Sequence, residues 1–320
     1  ALIAQCQIEP EGINAGRIVF RLGPCINASG RLDTAKRSLE LFFQTEPDKA
    51  AMIANELVVL NNERKAMTDE GVEAAIAYYE ENSLEQDKVV VIYLPEVHES
   101  IAGIIAGRIR EKYYKPVFVL TDAEDGSIKG SGRSTSEYSM YEEMCKCQEL
   151  FVKFGGHPMA AGLSLPKENL KAFRESINKV CTLSEEDLIE KIRIDVPMPL
   201  EYVTMDLVRE LSLLEPFGKD NERPVFADRN IGIRRLWVVG QNQNVLRLDM
   251  VTENGMPASG VYFGDIADFK AYIVEKFGPK QLDAAMTGKP NQIRLSIIYD
   301  PEINTYRGMD SLQFKIQHYQ

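Results

Sequence analysis

Histidine and tryptophan are scarce in this chain: His98, His157 and His318 are the only histidines, and Trp237 the only tryptophan, among 320 residues. Long hydrophobic runs are absent. No segment approaches the roughly 18 apolar residues that span a bilayer, and the opening ALIAQCQIEPEG lacks the basic start and apolar stretch of a signal peptide. The expectation is a cytoplasmic protein with no membrane attachment. Five cysteines are an odd number without a framework spacing, and Cys145-x-Cys147 is one residue short of a zinc-knuckle pair, so reduced, structural thiols are expected. A basic excess is missing too. At a net charge of -11 the chain does not suit nonspecific coating of nucleic acid, which rests on neutralised phosphates.

The positive charge that exists is concentrated. Between Arg17 and Arg37 five basic residues face one acid, Asp33; between Arg223 and Arg247 five face one acid, Asp228. Two basic patches on an acidic body suit a confined track for an anion, although imbalances of this size also arise by chance. The length favours two or three cores over one. Ala1 is not a methionine, and ALIAQCQIEP reads as the interior of a helix followed by a turn; a piece of a longer protein is expected.

Near the start, RLGPCINASGR (Arg21–Arg31) sets a glycine turn before the apolar-periodic Leu39, Leu41, Phe42 and Phe43, with Asp33 and Thr34 as helix-start residues. A glycine turn opening on a helix, with Asn27 and Arg31 beside it, suits a phosphate; a loop whose arginine caps a neighbour is the other reading. From about Asp48 to Ser83, Ala51, Ile53, Leu57, Leu60, Met67, Val72 and Ile76 fall at helical intervals without a proline, predicting one long or once-broken helix, solvent-washed, between two bodies.

Next come a strand-length apolar run (Val89–Leu94), a helix-forming IAGIIAGRIREKYY and a second buried run (Pro116–Leu120), a βαβ unit with parallel strands. His98 falls in the loop at the carboxyl end of the first strand, the edge where open α/β sheets hold ligands. GSIKGSGRS reads as a further strand on which Ser131 and Arg133, two apart, share a face and together fit one phosphate. In FGGHPMAAG, Gly155 and Gly156 permit special backbone torsions and His157 begins a small-residue helical turn whose N–H groups meet phosphate oxygens. Alternating runs at Ile231–Val239, Val245–Val251, Ala258–Phe263, Gln292–Ile298 and Leu312–Ile316 predict a five-stranded barrel. Trp237 with Arg234 and Arg235 is either a stacking platform for single strands or, for the tryptophan, a core residue.

RLGPCINASGR, GSGRS and FGGHPMAAG, in that order and with a long helix after the first, resemble the RecJ family of single-strand-specific exonucleases in the DHH phosphoesterase superfamily. The resemblance implies the tail of a DHH catalytic domain (residues 1–41), a connecting helix (42–87), an α/β DHH-associated domain with a mixed sheet (88–182) and an all-β OB-fold (183–320) that opens on LLEPFGKDNERPVF. It implies 5′ to 3′ degradation of single-stranded DNA in repair and recombination, with a helicase or single-strand-binding protein as partner. It also implies hydrolysis assisted by Mn2+ or Mg2+, with no metal bound by this stretch. No Asp-His-His triplet occurs here and the three histidines are too scattered to replace it, so the catalytic ligands are expected upstream and this stretch is expected to be inactive alone. By the same resemblance Asn27, Arg31, His98, Ser131, Arg133, Gly155, Gly156 and His157 contact phosphate, and Arg234, Arg235 and Trp237 contact DNA. Cys25 and Ser29 replace the arginine and alanine of the family's GPRINAAGR, removing one phosphate contact, and Asp220 stands where glycine is common. The alternatives are a DHH-type oligonucleotide phosphatase and a stand-alone nucleic-acid-binding module.

Overall fold

A computed structural model describes residues 1–123, 125–240 and 243–320. The chain forms two compact units, Ala1–Lys191 and Ile192–Gln320.

In the first unit, the short helices α1 (Leu2–Gln5) and α2 (Ala15–Arg17) precede α3 (Gly23–Leu32), α4 (Ala35–Phe43) and α5 (Pro47–Glu81). The expected glycine turn is therefore a helix. Gly23 and Pro24 open it directly after a π-helical stretch, Ile18–Leu22, whose widened turn precedes the proline, and Arg31 lies in its last turn. Thr34 does start the next helix, its hydroxyl accepting from Lys36 N at 3.3 Å. The long helix is unbroken over 35 residues, and it is not simply washed by solvent. One side buries Ile53, Ala54 and Leu57 against Cys6, Ile8 and Cys25, and farther along Ala75 and Tyr79 against Ile101, Ile105 and Ile109. Between these two apolar stretches the same side carries Asn61 and Thr68, 4% and 5% exposed.

The sheet of this unit has the order β1 (Val90–Tyr93), β2 (Val117–Asp122), β3 (Ile128–Arg133), β5 (Ala160–Leu165), β4 (Lys153–His157). β1 and β2 are parallel and joined by α6 (Glu99–Tyr113), the βαβ unit read from the sequence; the other pairings are antiparallel. Phe118, Leu120, Ile128, Ala161, Leu163 and Leu165 form one core on one face with α7 (Met140–Cys145) and α8 (Leu170–Val180). On the other face α6 covers Val90, Ile92, Val117 and Val119 and sets Gly103 against Ser131 and Arg133 of β3, and β5 and β4 extend past it.

The second unit begins with a two-residue strand β6 (Val196–Pro197) and helix α9 (Met205–Leu211). β7 (Phe226–Val239), β8 (Val245–Val251), β9 (Pro257–Tyr262), β10 (Arg294–Tyr306) and β11 (Met309–Tyr319) then close a barrel, since β10 pairs with both β11 and β7. Alternate residues such as Leu246, Leu248 and Met250 point into a core that includes Phe269, Tyr299 and Phe314. Two helices absent from the sequence reading, α10 (Ile266–Phe277) and α11 (Pro279–Met286), interrupt the strands; Asp265 caps the first, accepting from Ala267 N and Asp268 N at 2.8 and 3.1 Å. Asp220 adopts φ +65°, a torsion that aspartate tolerates. All five cysteines are free thiols.

Candidate nucleic-acid interface

The register of three strands tiles the β3, β5 and β4 half of the first sheet. Directly opposed residues share a face, so Lys129, Ser164 and Lys153 form one row, Ser131, Gly162 and Gly155 the next, and Arg133, Ala160 and His157 the third. The middle of this floor is nearly bare: a Cβ added at Gly155 would meet nothing within 4 Å, and one at Gly162 only the Gly130 carbonyl, at 3.9 Å. FGGHPMAAG is thus a β-hairpin turning at Pro158 and Met159, not a helical turn. The small residues Ala160 and Gly162, which suit either structure, give this face a flat surface, while Ala161 packs into the core on the other face. No helix N-terminus is presented by this segment; its glycines contribute space.

Arg31, Ser131 and Arg133 meet at the first two turns of α6. Arg31 Nη1 donates to the Ser100 carbonyl at 2.6 Å. The Arg133 guanidinium rests on Gly103, where a Cβ would lie 2.8 Å from Nη2 and 3.3 Å from the Ser131 Cβ. Arg133 also donates from Nη1 to the Gly132 carbonyl at 2.7 Å. Burial, and then the charges of Arg31 and Arg110, lower the pKa of Arg133 from its usual value. Beside them a hollow of about 290 Å³ is lined by residues including Ser100, Thr121, Ser131 and Gly162. His98 caps α6, its Nδ1 2.7 Å from Ser100 Oγ and accepting from Ser100 N at 3.3 Å, which leaves Nε2 for a ligand. Asn27 lies one turn before Arg31 on α3, exposed and on the same side. His157 is exposed on the same floor as Arg133, two strand spacings or roughly 10 Å away. Arg31, Ser131, Arg133 and His98 therefore form one neighbourhood, and His157 with Gly155 its far edge.

Arg64 and Arg108 escaped the sequence reading. Arg64 on α5 is held by Asn61, whose Oδ1 accepts from Nε at 3.3 Å and from Nη2 at 3.1 Å. Its pKa falls through burial first, then through Arg31, with Arg108 a lesser contributor. Among the described residues Arg31, Arg64, Arg108 and Arg133 form no ion pair with a carboxylate. The available signal was Asn61, Arg64 and Thr68, polar residues at helical spacing on an otherwise buried side. Cys25 lies buried beneath this region, within reach of Asn61, with Sγ 3.8 Å from Cys6 Sγ, and burial, then Cys6, push its thiol up to about 11. No group of three or more His, Cys, Asp or Glu residues arranged to hold a metal exists among the described residues.

On the barrel, Trp237 is half-buried and lies outside the core. It sits on the outer surface of β7 opposite Arg247 of β8. The guanidinium of Arg235 is 5.2 Å and that of Arg247 6.0 Å from its ring centroid, an aromatic surface flanked by cations of the kind on which a base can stack. Arg234 is the extra residue of a bulge: Ile233 opposes Met250 and Arg235 opposes Asp249. Tyr262 belongs to the core, whereas Phe263 is 54% exposed beneath Lys315, 5.6 Å from its ring centroid.

Residues 86–183 match the family described as the DHHA1 domain, and residues 194–318 the RecJ OB domain. The single-stranded-DNA-specific exonuclease RecJ of Escherichia coli (strain K12) is 30% identical over 328 residues, covering 99% of this chain and 53% of that protein. Its counterpart in Bacillus subtilis (strain 168) is 31% identical over 244 residues, covering 75% of this chain and 31% of that protein. A crystal structure of RecJ in complex with Mn2+ from Thermus thermophilus superposes on the whole chain, and on 43% of its own, with a TM-score of 0.77 at 22% identity, a likeness of fold. The chain spans about half the length, or less, of these relatives. The chain thus carries a DHHA1 domain followed by a RecJ OB domain, and over nearly its whole length it is similar to RecJ.

Proposed function

We propose that this chain is the substrate-holding portion of an exonuclease that degrades single-stranded DNA from the 5′ end during repair and recombination. The observation that carries the reading is the meeting of Arg31, Ser131 and Arg133 at α6, beside a bare glycine floor edged by His157. Neighbouring guanidiniums without carboxylate partners, two of them (Arg64 and Arg133) half-buried, repel one another, and an anion relieves that repulsion. Arg31, Ser131 and Arg133, with His98 and Asn27 at the margin, hold the terminal 5′ phosphate or the neighbouring backbone. Gly155 lets the strand approach; Gly156 faces the other side of the sheet, where its missing side chain lets it pack on Ala161; and His157 contacts a phosphate farther along. The barrel holds the trailing strand through Arg234, Arg235 and Trp237.

Hydrolysis in this reading takes place at Mn2+ or Mg2+ bound by the upstream part of the protein, where metals activate the attacking water; the residues here fix which bond faces it. A helicase or single-strand-binding protein that supplies the strand, and a cytoplasmic location, belong to the same proposal. No helix among the described residues is long and apolar enough to cross a membrane. The closed barrel weighs against an oligonucleotide phosphatase, because a very short substrate needs no extended track.

The test is binding and cleavage by the purified chain. The expected result is salt-sensitive binding to single-stranded oligonucleotides, tighter with a 5′ phosphate, and no cleavage with Mn2+. Indifference to the 5′ phosphate removes the proposed end recognition, and robust cleavage removes the upstream assignment of the metal site.

A further inference from the structure

Beyond Trp237, the barrel carries a second cluster of cations that strand pairing alone does not call for. A hollow of about 300 Å³ opens between β7 and the turn joining α11 to β10, lined by Gly232, Arg234, Gly288, Lys289 and Arg294 among others. No carboxylate lines it. Among the described residues neither Lys289 nor any of Arg234, Arg235 and Arg294 makes an ion pair. Three cations without ion-pair partners around one concavity favour an anion there.

The walls are fixed before any ligand arrives. Past the last residue of α11 and its cap, Thr287, Gly288 adopts φ +70°, and the next N–H, that of Lys289, turns back to the Ala284 carbonyl at 2.8 Å. Asn291 Oδ1 accepts from Ile293 N at 3.1 Å, setting the path into β10. Across the hollow, the absence of a side chain at Gly232 lets the Arg294 guanidinium lie against the strand, since a Cβ there would be 3.2 Å from Nη1. That Nη1 donates to the Asn230 carbonyl at 3.0 Å, and the guanidinium keeps further donors for a ligand. Arg234, the extra residue of the bulge in β7, lines this hollow and also a second one lined by Asp249. Arg235 links the hollow to Trp237: its Cδ lies 3.6 Å from where a Gly288 Cβ would be, and its guanidinium is over the indole.

We infer that Lys289, Arg294 and Arg234 form a phosphate subsite that takes a backbone phosphate of a single strand whose neighbouring base stacks on Trp237. This rests on the proposed binding of single strands by the barrel. It adds a fixed anchor to what would otherwise be an open stacking surface. Arg234 to Trp237 spans three residues of strand, roughly 10 Å, which separates anchor and platform without placing them on different faces.

The experiment uses the whole chain, a fluorescently labelled oligothymidylate and a series of salt concentrations, with Trp237 emission followed in parallel. The variants are Lys289→Ala, the double variant Lys289→Ala/Arg294→Ala and the charge reversal Lys289→Glu. Both side chains are exposed, and a circular dichroism melt checks the fold. The expected result is at least a tenfold loss of affinity in the double variant and a salt slope reduced by about 0.7 per lost phosphate contact. Quenching of Trp237 persists at saturating DNA, and Lys289→Glu weakens binding further than Lys289→Ala. Unchanged affinity and slope in the double variant, while Trp237→Ala weakens binding, overturn the subsite and leave the stacking surface standing. A wild-type chain whose tryptophan does not respond to DNA at all overturns both. Inorganic phosphate in the same titration separates sources: if it protects the hollow while the variants bind DNA normally, the site serves a small free anion and the inference fails.

Discussion

The arginines of the sheet and those of the barrel are held in opposite ways. On the sheet, Arg133 is pressed against Gly103 and Arg64 is clamped by Asn61, half-buried and lowered in pKa by burial. On the barrel, Arg234 and Arg235 are exposed, and Arg235 packs on an aromatic ring. A buried, pre-positioned guanidinium pays its desolvation during folding and is selective about what it meets. An exposed one over a tryptophan accepts many partners at similar cost. The first arrangement suits recognition of one chain end and the second a strand of any sequence.

The sharpest way to break this contrast is Arg133→Ala. Binding to a 5′-phosphorylated strand should fall by about 2–3 kcal/mol, the range for a charge-assisted contact, while binding to the unphosphorylated strand falls much less; equal losses measured by anisotropy would make the sheet site as unselective as the barrel. The glycines of the hairpin come next. Gly156→Ala places a Cβ 2.6 Å from the Ala161 Cα and should cost about 1–3 kcal/mol of stability in urea melts. Gly155→Val meets open space, should leave stability within about 1 kcal/mol, and should lose DNA binding because the floor is filled. Trp237→Ala should then weaken strand binding by about 1–3 kcal/mol, independently of the 5′ phosphate, and change the melting temperature little, since the ring lies outside the core.

The smallest effect concerns pH. Cys25 is protonated in the folded state up to about 11, above its ordinary value of 9.0. The unfolded chain loses that proton first, so this contribution to stability is complete below 9 and declines between 9 and about 11. Cys25→Ala should flatten that alkaline decline in denaturant melts.

The βαβ unit and the five barrel strands could be read directly, because Val89–Leu94, Pro116–Leu120 and the alternating runs commit to one period over several residues. The hairpin at His157 could not. Ala160 and Ala161 are good helix formers, and what decides in favour of a strand is the row Arg133, Ala160, His157, a relation between residues far apart in the chain. RLGPCINASGR misleads for the opposite reason: Gly23, Pro24 and Gly30 look like loop residues, yet the first two sit in the opening turn of a helix and tolerate it. The site residues were recognised by resemblance to a family; Arg64 and Arg108 were missed because their role comes from proximity to Arg31.

The 35-residue helix carries a mechanical consequence. At 1.5 Å per residue it is a rod of roughly 52 Å with no proline or break after its first turn. Leu57 near one end is seated in a different apolar cluster from Ala75 near the other. A shaft without a joint has nowhere to absorb a tilt, so loosening either bearing strains the opposite one, and amide protons at both ends should exchange together in a single cooperative opening.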